Sequence, residues 1–155
     1  MTVRLATPDD LDAVLRVGHE TWWATYVPIT GEEFVRDGLA RWWTAESTLP
    51  AIERGLVFVA EEEGAVVGMT MYGVRDRRAD IWKLYVLPEA QGSGLGRALV
   101  DAVVSAVAGA ADEIVLAWLE GNDDAAAFYR RMGFEETHRE PDDDGHPHVW
   151  MRKAV

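Results

Sequence analysis

The sequence contains no cysteine. This absence excludes a disulfide framework and thiol catalysis, and it fits the reducing conditions of the cytoplasm. The sequence also lacks any apolar run that approaches the roughly 20 residues needed to span a bilayer. Its beginning, MTVRLATPDD, has no signal-peptide core. We therefore expect a cytoplasmic protein that has no membrane partner.

Basic residues are few compared with acidic ones. Lys and Arg together number 15 against 27 Asp and Glu, which gives a net charge of −12. Nucleic-acid binding requires clustered basic side chains, so this balance argues against such a partner. The acidic charge is compatible with an amine substrate, although ordinary surface solvation explains it as well.

Repeats, low-complexity tracts and linkers are also missing. The 155 residues, 48% of them hydrophobic, therefore predict one globular domain over residues 1–155. Hydrophobic periodicity predicts a strand and two helices, then a strand-rich middle, then alternating strands and helices that end in a hairpin. Thr30 and Glu33 have the spacing of a capping box, which predicts the start of the second helix, and Pro50 and Gly55 bracket a short helical turn.

The most informative stretch is LYVLPEAQGSGLGRALV, residues 84–100. Here a predicted strand ends and a helix begins, with glycines at positions 92, 94 and 96 between them. A helix N-terminus carries unpaired amides and the positive end of the helix dipole, so it attracts anions. Glycine lets a phosphate approach such amides without a β-carbon in the way. Arg97 adds a cation, so the stretch indicates a phosphate ligand rather than a bare connection.

Two common phosphate motifs fit poorly. A dinucleotide-binding turn needs a third glycine where this chain has Arg97, and an acidic residue about 20 positions further on, whereas Glu120 falls too late. A P-loop needs Gly-Lys-Ser or Gly-Lys-Thr, which the sequence does not contain.

The stretch resembles the pyrophosphate loop of the GNAT superfamily of acyl-CoA-dependent N-acyltransferases. The family signature is matched by Gln91-Gly92-Ser93-Gly94-Leu95-Gly96, and the strand before it reads LYVLP. Further along, an Asn-initiated helix at Asn122 ends in FYRRMGF, residues 128–134, as in the family. The order of elements also matches from Val3 to the C-terminus.

The resemblance implies an α+β (mixed α/β) fold. Its central mixed sheet has six to seven strands, flanked by about four helices. The strands at 81–87 and 114–119 splay into a V, which a β-bulge produces and which receives the pantetheine arm of acetyl-CoA. The residues implied in cofactor binding are Leu84, Tyr85, Val86, Gln91, Gly92, Ser93, Gly94, Leu95, Gly96, Arg97, Asn122, Ala125 and Tyr129.

The resemblance also implies catalytic roles. The hydroxyl of Tyr129 would donate a hydrogen bond to the departing sulfur, and the backbone N–H of Val86 would polarise the thioester carbonyl. Asp80 and Glu120, at the ends of the two splayed strands, are candidates for the base that deprotonates the amine. A core tyrosine and solvated strand-end acids are the alternatives from the residues alone.

The first two helices would wall the acceptor site. Trp22, Trp23 and Tyr26 are the candidate acceptor-binding residues, with core or dimer packing as the alternative. His146 and His148 beside Asp142–Asp144 have the residue types of a metal site, but a polar hairpin tip explains them better, so we expect no metal.

These observations favour an N-acetyltransferase that transfers an acetyl group from acetyl-CoA to an amine of a small molecule or peptide. A catalytically silent acyl-CoA-binding module is the alternative from another class. The family often forms homodimers, and the aromatic content permits one here. The sequence does not identify the acceptor.

Overall fold

The computed structural model describes residues 1–141 and 145–155. Over these ranges, seven strands and five α-helices form, with two short 3-10 turns at Pro8–Asp10 and Pro88–Ala90. The strands are β1 (Thr2–Leu5), β2 (Val57–Glu62), β3 (Ala65–Arg75), β4 (Arg78–Val86), β5 (Glu113–Leu119), β6 (Glu135–Glu140) and β7 (His148–Ala154). The helices are α1 (Leu11–Thr30), α2 (Glu32–Trp42), α3 (Ala45–Glu53), α4 (Leu95–Val107) and α5 (Asp123–Arg131).

The strands form one mixed sheet in the order β1-β2-β3-β4-β5-β7-β6. β4 and β5 are parallel, with Arg78 opposite Glu113 and Asp80 opposite Val115, and α4 provides the connection between them. The pairs β1–β2, β2–β3, β5–β7 and β6–β7 are antiparallel. The predicted mixed α+β architecture is confirmed, with five α-helices in the described residues where the sequence predicts about four. The splay of the two central strands stays a prediction.

The first of two compact units comprises Met1–Tyr72 and Lys83–Val103. One part of its core lies between α1, α3 and the strands and includes Val14, Val17, Trp43 and Met69, each at most 2% exposed. The other part joins Leu95 and Leu99 of α4 to Ala60 and Ala90. Apolar residues thus anchor the beginning of α4 firmly.

The second unit comprises Gly73–Trp82 and Val104–Val155. Its core includes Leu116 of β5, which faces Met151 of β7, and Trp118, which faces Val149. All six side chains of the edge strand β6 are exposed. The prediction that residues 1–155 form a single domain stays a prediction.

A salt-bridge cluster ties the N-terminus of the first unit together. Arg4 donates to both carboxylate oxygens of Asp10, at 2.8 and 2.9 Å, and also pairs with Glu61. Asp10 accepts a further bond of 2.7 Å from the Thr7 backbone N–H. The Arg4 guanidinium, whose hydrogen bonds outweigh the opposing effect of burial, lowers the pKa of Asp10 to about 2.

Two helix predictions are wrong in detail. The capping box of Thr30 and Glu33 does not form, because α1 continues through Thr30 and the Thr30 hydroxyl donates back to the carbonyl of Tyr26 at 2.9 Å. Gly31, at φ +88°, ends α1 and precedes α2. Pro50 lies inside α3, which begins after Thr44, so Pro50 and Gly55 do not bracket a single turn.

The strand boundaries also differ from the predictions. The turn after β3 is confined to Asp76 and Arg77, both at positive φ, so β4 begins at Arg78 rather than Ile81. The closing hairpin forms as predicted by pairing of β6 with β7. Its predicted turn residues Asp142–Asp144 lie outside the described residues.

Candidate functional site

The connection from β4 to α4 is fixed at both ends and exposed in the middle. Leu87, Ala90 and Leu95 are 1%, 6% and 1% exposed, and the Leu87 backbone N–H donates to the carbonyl of Val67 at 2.8 Å. Residues 91–94 between these anchors are all exposed. The buried residues on both sides therefore fix the position of a loop whose backbone is exposed to solvent at the start of α4.

Two glycines set the shape of this loop. Gly92 and Gly94 have φ of +84° and +85°, values that side chains other than hydrogen rarely allow. A β-carbon placed on either glycine would meet no atom within 4 Å, so the space beside both is open. Because glycine has no side chain, the loop can adopt this backbone conformation, and the space beside the amides at the N-terminus of α4 stays open.

Polar side chains brace the loop from within. Gln91 donates through Nε2 to the Val86 carbonyl at 2.9 Å, and the Ser93 hydroxyl donates to the Ala90 carbonyl at 2.6 Å. Arg97 is exposed on α4. Gln91 and Ser93 therefore hold the turn in this structure.

The two faces of β4 pack against different layers of the first unit. Leu84 and Val86 contact the cluster that contains Leu95 and Leu99, whereas Tyr85 packs against the cluster that contains Trp43. The side chains of Leu84 and Val86 are used in packing. Any cofactor contact at these two positions is thus left to the backbone, as the family resemblance implies.

Four aromatic rings gather on the Tyr85 face of β4. We call this group, made of Trp22, Tyr26, Trp43 and Tyr85, the aromatic cluster. Its ring centroids lie 5.1 Å apart for Trp22 and Tyr26, and 5.5 Å apart for Trp43 and Tyr85, both in edge-to-face contact. The hydroxyls of Tyr26 and Tyr85 are 3.2 Å apart, within hydrogen-bond distance. Burial raises the pKa of Tyr85, so its hydroxyl stays protonated at neutral pH.

Glycines on two helices make room for the tryptophans of the cluster. A β-carbon at Gly18 would lie 2.1 Å from a ring carbon of Trp43, and one at Gly38 would lie 2.3 Å from a ring carbon of Trp22. The neighbouring tryptophans point outward, since Trp23 is 39% and Trp42 is 49% exposed. Of the three predicted acceptor residues, Trp22 and Tyr26 lie together in the cluster, while Trp23 lies on the surface beneath Arg36.

In the second unit, Asn122 and Tyr129 occupy opposite ends of α5. Asn122 caps the helix as predicted, because its Oδ1 accepts from the Ala125 backbone N–H at 3.3 Å. Tyr129 is 8% exposed and its ring meets Phe128 and Phe134 edge-on, with centroids 5.2 and 5.6 Å away. Tight packing thus restricts the orientation of the Tyr129 ring.

Comparison with known proteins identifies the family. The family model described as "Acetyltransferase (GNAT) domain" matches residues 53–136, more than half of the chain. The chain belongs to the GNAT acetyltransferase family.

Relatives of this GNAT protein include a probable N-acetyltransferase of Mycobacterium tuberculosis, 28% identical over 85% of this chain and 78% of the relative. A mycothiol acetyltransferase of Streptomyces griseus is 36% identical over half of this chain, but the match spans only 26% of that longer protein. Among solved structures, the PaiA N-acetyltransferase of Thermoplasma acidophilum in complex with coenzyme A superposes with a TM-score of 0.87. That match covers 99% of this chain and 98% of the other at 23% identity, so it shows the fold alone.

Both candidate bases of this GNAT chain are ion-paired. Asp80 pairs with Arg78 at 2.8 Å, and its side chain is 20% exposed. Glu120 pairs with Arg139 at 2.8 Å, and its side chain is 49% exposed. Either carboxylate would have to weaken its ion pair with arginine in order to accept a proton.

Sequence reasoning missed Lys83, which lies beside the aromatic cluster. Its Nζ donates to the Trp42 carbonyl at 2.5 Å and lies 4.0 Å from the centroid of the Trp43 ring. Burial lowers the pKa of Lys83 to about 8. One signal was available, because residues two apart on a strand share a face, which places Lys83 beside Tyr85.

The remaining predicted features concern metals and membranes. Asp142–Asp144 lie outside the described residues, so the acidic part of the histidine cluster is not placed. Across residues 1–141 and 145–155, no group of three or more His, Cys, Asp or Glu is arranged to hold a metal ion. In the same ranges, no helix combines the length and apolar character required to traverse a bilayer.

Proposed function

We propose that this GNAT protein transfers an acetyl group from acetyl-CoA to a primary amine of a small molecule or peptide, by direct attack in a ternary complex. The observation that supports the proposal best is the loop at 91–94, whose two positive-φ glycines leave open space beside the first turn of α4. A diphosphate needs such a combination of exposed amides, helix dipole and absent β-carbons.

Acetyl-CoA fits the residues present. The amides from Gln91 to Arg97 would hold its diphosphate, and the guanidinium of Arg97 would add charge. Backbone groups of Leu84, Tyr85 and Val86, together with Asn122 and Ala125, would hold the pantetheine arm. When bound, acetyl-CoA supplies the acetyl thioester that the amine attacks.

Tyr129 is our candidate for the group that assists the leaving thiolate. A phenol with a pKa of about 10 is a weaker acid than a thiol at about 8.5, so complete proton transfer to a free thiolate is mildly unfavourable. A hydrogen bond from the Tyr129 hydroxyl to the sulfur, strengthening as negative charge develops, avoids this cost.

Asp80 and Glu120 remain our candidates for the group that accepts the amine proton. A lysine-like amine with a pKa of about 10.4 needs about 4–5 kcal/mol for deprotonation at pH 7, whereas an α-amino group needs only about 1 kcal/mol. Because both carboxylates are held by arginines, the proposal favours an acceptor amine of low pKa, deprotonated through water.

The two ion-paired carboxylates are also what a catalytically silent acyl-CoA-binding module would have. Release of coenzyme A thiol in the presence of amines separates the two candidates, because only the enzyme turns over. We further infer a cytoplasmic location, from the absence of cysteine, and a capacity to form homodimers, from the family resemblance.

Thermal unfolding with and without nucleotides tests the binding half of the proposal. Coenzyme A and acetyl-CoA should each raise the melting temperature, since a ligand at 100 times its Kd stabilises the folded state by about 2.7 kcal/mol. NAD and ATP at the same concentration should have less effect. Stabilisation by NAD without stabilisation by either coenzyme A compound would overturn the proposal.

A further inference from the structure

The backbone groups at the end of β4 point alternately to the two edges of the strand. The Leu87 backbone N–H, directly after the strand, donates to the Val67 carbonyl of β3 at 2.8 Å. The carbonyl of Lys83 accepts from the Thr70 hydroxyl of β3, also at 2.8 Å. The backbone groups at positions 83 and 87 therefore face β3. Because successive residues alternate, those of Val86 point to the opposite edge of β4.

That opposite edge pairs with β5 along the first residues of β4. The pairs run from Arg78 to Asp80, so Val86 lies six residues beyond the last of them and its backbone groups are not part of this ladder. The Val86 carbonyl has a partner from the loop, because Gln91 donates to it through Nε2 at 2.9 Å. The N–H of Val86 is therefore the backbone group at this position that a ligand could use.

The peptide group between Val86 and Leu87 is held on both sides. Its carbonyl accepts from Gln91 at 2.9 Å, and its N–H donates to the Val67 carbonyl at 2.8 Å. Leu87 itself is 1% exposed, so its side chain is fixed in the core. A rotation of this peptide group would break both hydrogen bonds, and backbone groups strongly require such partners. Gln91 thus contributes to the orientation of Val86 and not only to the shape of the loop at 91–94.

We propose that Gln91 is a positioning residue for the acetyl group of acetyl-CoA. By occupying the Val86 carbonyl, its side-chain amide leaves the Val86 N–H as the donor to the thioester oxygen. Gln91 acts in this way through Val86, and not by contact with the reacting atoms. The inference rests on the proposed acetyl transfer and assigns a role in it to one side chain.

Electrostatics explains why the Val86 carbonyl has to be occupied. The N–H and the carbonyl of one extended residue point to the same edge of a strand, so an oxygen bound at the N–H lies close to the carbonyl oxygen. Negative charge develops on the thioester oxygen as the amine attacks, and a bare carbonyl oxygen beside it would repel that charge. The Gln91 amide offsets this repulsion, because its N–H places positive charge on the carbonyl oxygen.

A purely structural role of Gln91 would affect a different part of the cofactor. A brace of the loop at 91–94 acts on the diphosphate, which coenzyme A and acetyl-CoA share. Positioning through Val86 acts on the thioester carbonyl, which only acetyl-CoA has. Gln91→Met keeps the length of the side chain and removes the donor, and because Gln91 is exposed the variant should fold normally. Calorimetry should give this variant a nearly native Kd for coenzyme A.

Infrared spectroscopy of bound acetyl-CoA, labelled with carbon-13 at the thioester carbonyl, measures the polarisation directly. A hydrogen bond to the carbonyl lowers its stretching frequency, so the native protein should shift the band below that of free acetyl-CoA. In Gln91→Met this shift should be smaller. With hydroxylamine as the acceptor, a small amine that is largely unprotonated at pH 7, kcat should fall about five- to tenfold, as for the loss of one neutral hydrogen bond. Gln91→Arg keeps a donor and should restore most of the shift and of kcat.

Thr70→Val is the matched control. It also removes a side-chain donor to a carbonyl of β4, that of Lys83, but on the edge that faces β3. The band of bound acetyl-CoA and kcat should both stay native in this variant. Hydrogen exchange by NMR tests the geometry without a cofactor, because the Val86 amide should exchange much faster than the Leu87 amide, which donates to Val67.

The outcomes separate this role from the proposed function. A native band and native kcat in Gln91→Met, or an equal loss of affinity for coenzyme A and acetyl-CoA with unchanged kcat, would overturn the positioning role and leave acetyl transfer intact. A Val86 amide as protected as that of Leu87 in the unliganded protein would also overturn it. Failure of the native protein to bind acetyl-CoA would overturn both.

Discussion

Replacement of Gly18 by alanine should destabilise the protein through a single ring. The new methyl carbon would lie 2.1 Å from Cε3 of Trp43 and 2.3 Å from two further ring carbons. Carbon atoms in contact are normally about 3.5–4.0 Å apart, so a displacement of more than an ångström is required. Trp43 is only 2% exposed and belongs to the core cluster of Val14, Val17 and Met69, so the ring cannot move without disturbing its neighbours.

Two opposing effects set the size of the change. Alanine in a helix interior is about 0.8–1 kcal/mol more favourable than glycine. Overpacking a core typically costs about 1–3 kcal/mol, and expelling the ring altogether costs about 3–5 kcal/mol. Because the overlap is large, we expect a net loss of about 2 kcal/mol in the free energy of unfolding. For a chain of this length, that loss corresponds to about 4–8 °C in the melting temperature.

Urea unfolding followed by circular dichroism measures this loss, and Gly73→Ala provides the matched control. A β-carbon at Gly73 would also overlap a tryptophan, 2.3 Å from Cη2 of Trp82, but Trp82 is 57% exposed and its ring can turn into solvent. We expect this control to stay within about 0.5 kcal/mol of the native protein. If Gly18→Ala is as stable as Gly73→Ala, burial of Trp43 does not hold the aromatic cluster in place.

The other predictions concern chemistry and pH. Tyr129→Phe should lower kcat by about 100-fold or more with nearly unchanged affinity for coenzyme A, and unchanged turnover in steady-state kinetics would remove Tyr129 from the mechanism. Asp80→Asn and Glu120→Gln, tested side by side, should show which carboxylate acts as the base, because kcat/KM should fall in the variant that lacks it; two variants with native-like kcat/KM across the pH range would exclude both. The contribution of Asp10, whose folded pKa is about 2 against an ordinary 3.8, should be complete above pH 3.8 and disappear as the pH falls through 2. Discounted for the exposure of Arg4, it amounts to about 1–2 kcal/mol, and Asp10→Asn should remove that part of the acid dependence; an unchanged acid midpoint in this variant would show that the pair does not stabilise the fold.

Much of the fold follows from local signals in the sequence. The apolar face of residues 95–108 predicts a helix, which forms at Leu95–Val107, and Asn122 caps the next helix as predicted. Where a local sequence pattern was compatible with more than one structure, the prediction made from it was wrong. Thr30 has the residue type of a cap, but its hydroxyl donates within α1, because nothing ends that helix before Gly31. The Asp76-Arg77 turn lacks glycine or asparagine, so its two positive φ angles could not be predicted.

Only part of the candidate site could be predicted from the sequence. The glycine loop could be predicted because its backbone conformation requires glycine, and the glycines can be read directly from the sequence. The environment of Lys83 could not be predicted, because it is made by residues distant in the sequence. Lys83 contacts the carbonyl of Trp42 and the ring face of Trp43, and it forms no salt bridge with a carboxylate of the described residues. Those neighbours are about 40 positions away along the chain and meet Lys83 only through tertiary packing.

Gly94 offers the sharpest comparison, through calorimetric titration of coenzyme A into the native protein, Gly94→Ala and Gly55→Ala. Gly55 also has a positive φ, +73°, and open space beside it, so alanine strains the backbone equally at both positions, by about 1–2 kcal/mol. We predict measurable heat with the native protein and Gly55→Ala, and an affinity at least about tenfold lower with Gly94→Ala, because only that methyl group covers the amides at the start of α4. No heat with the native protein, or equal affinity in all three, would contradict the assignment of this loop as the diphosphate site.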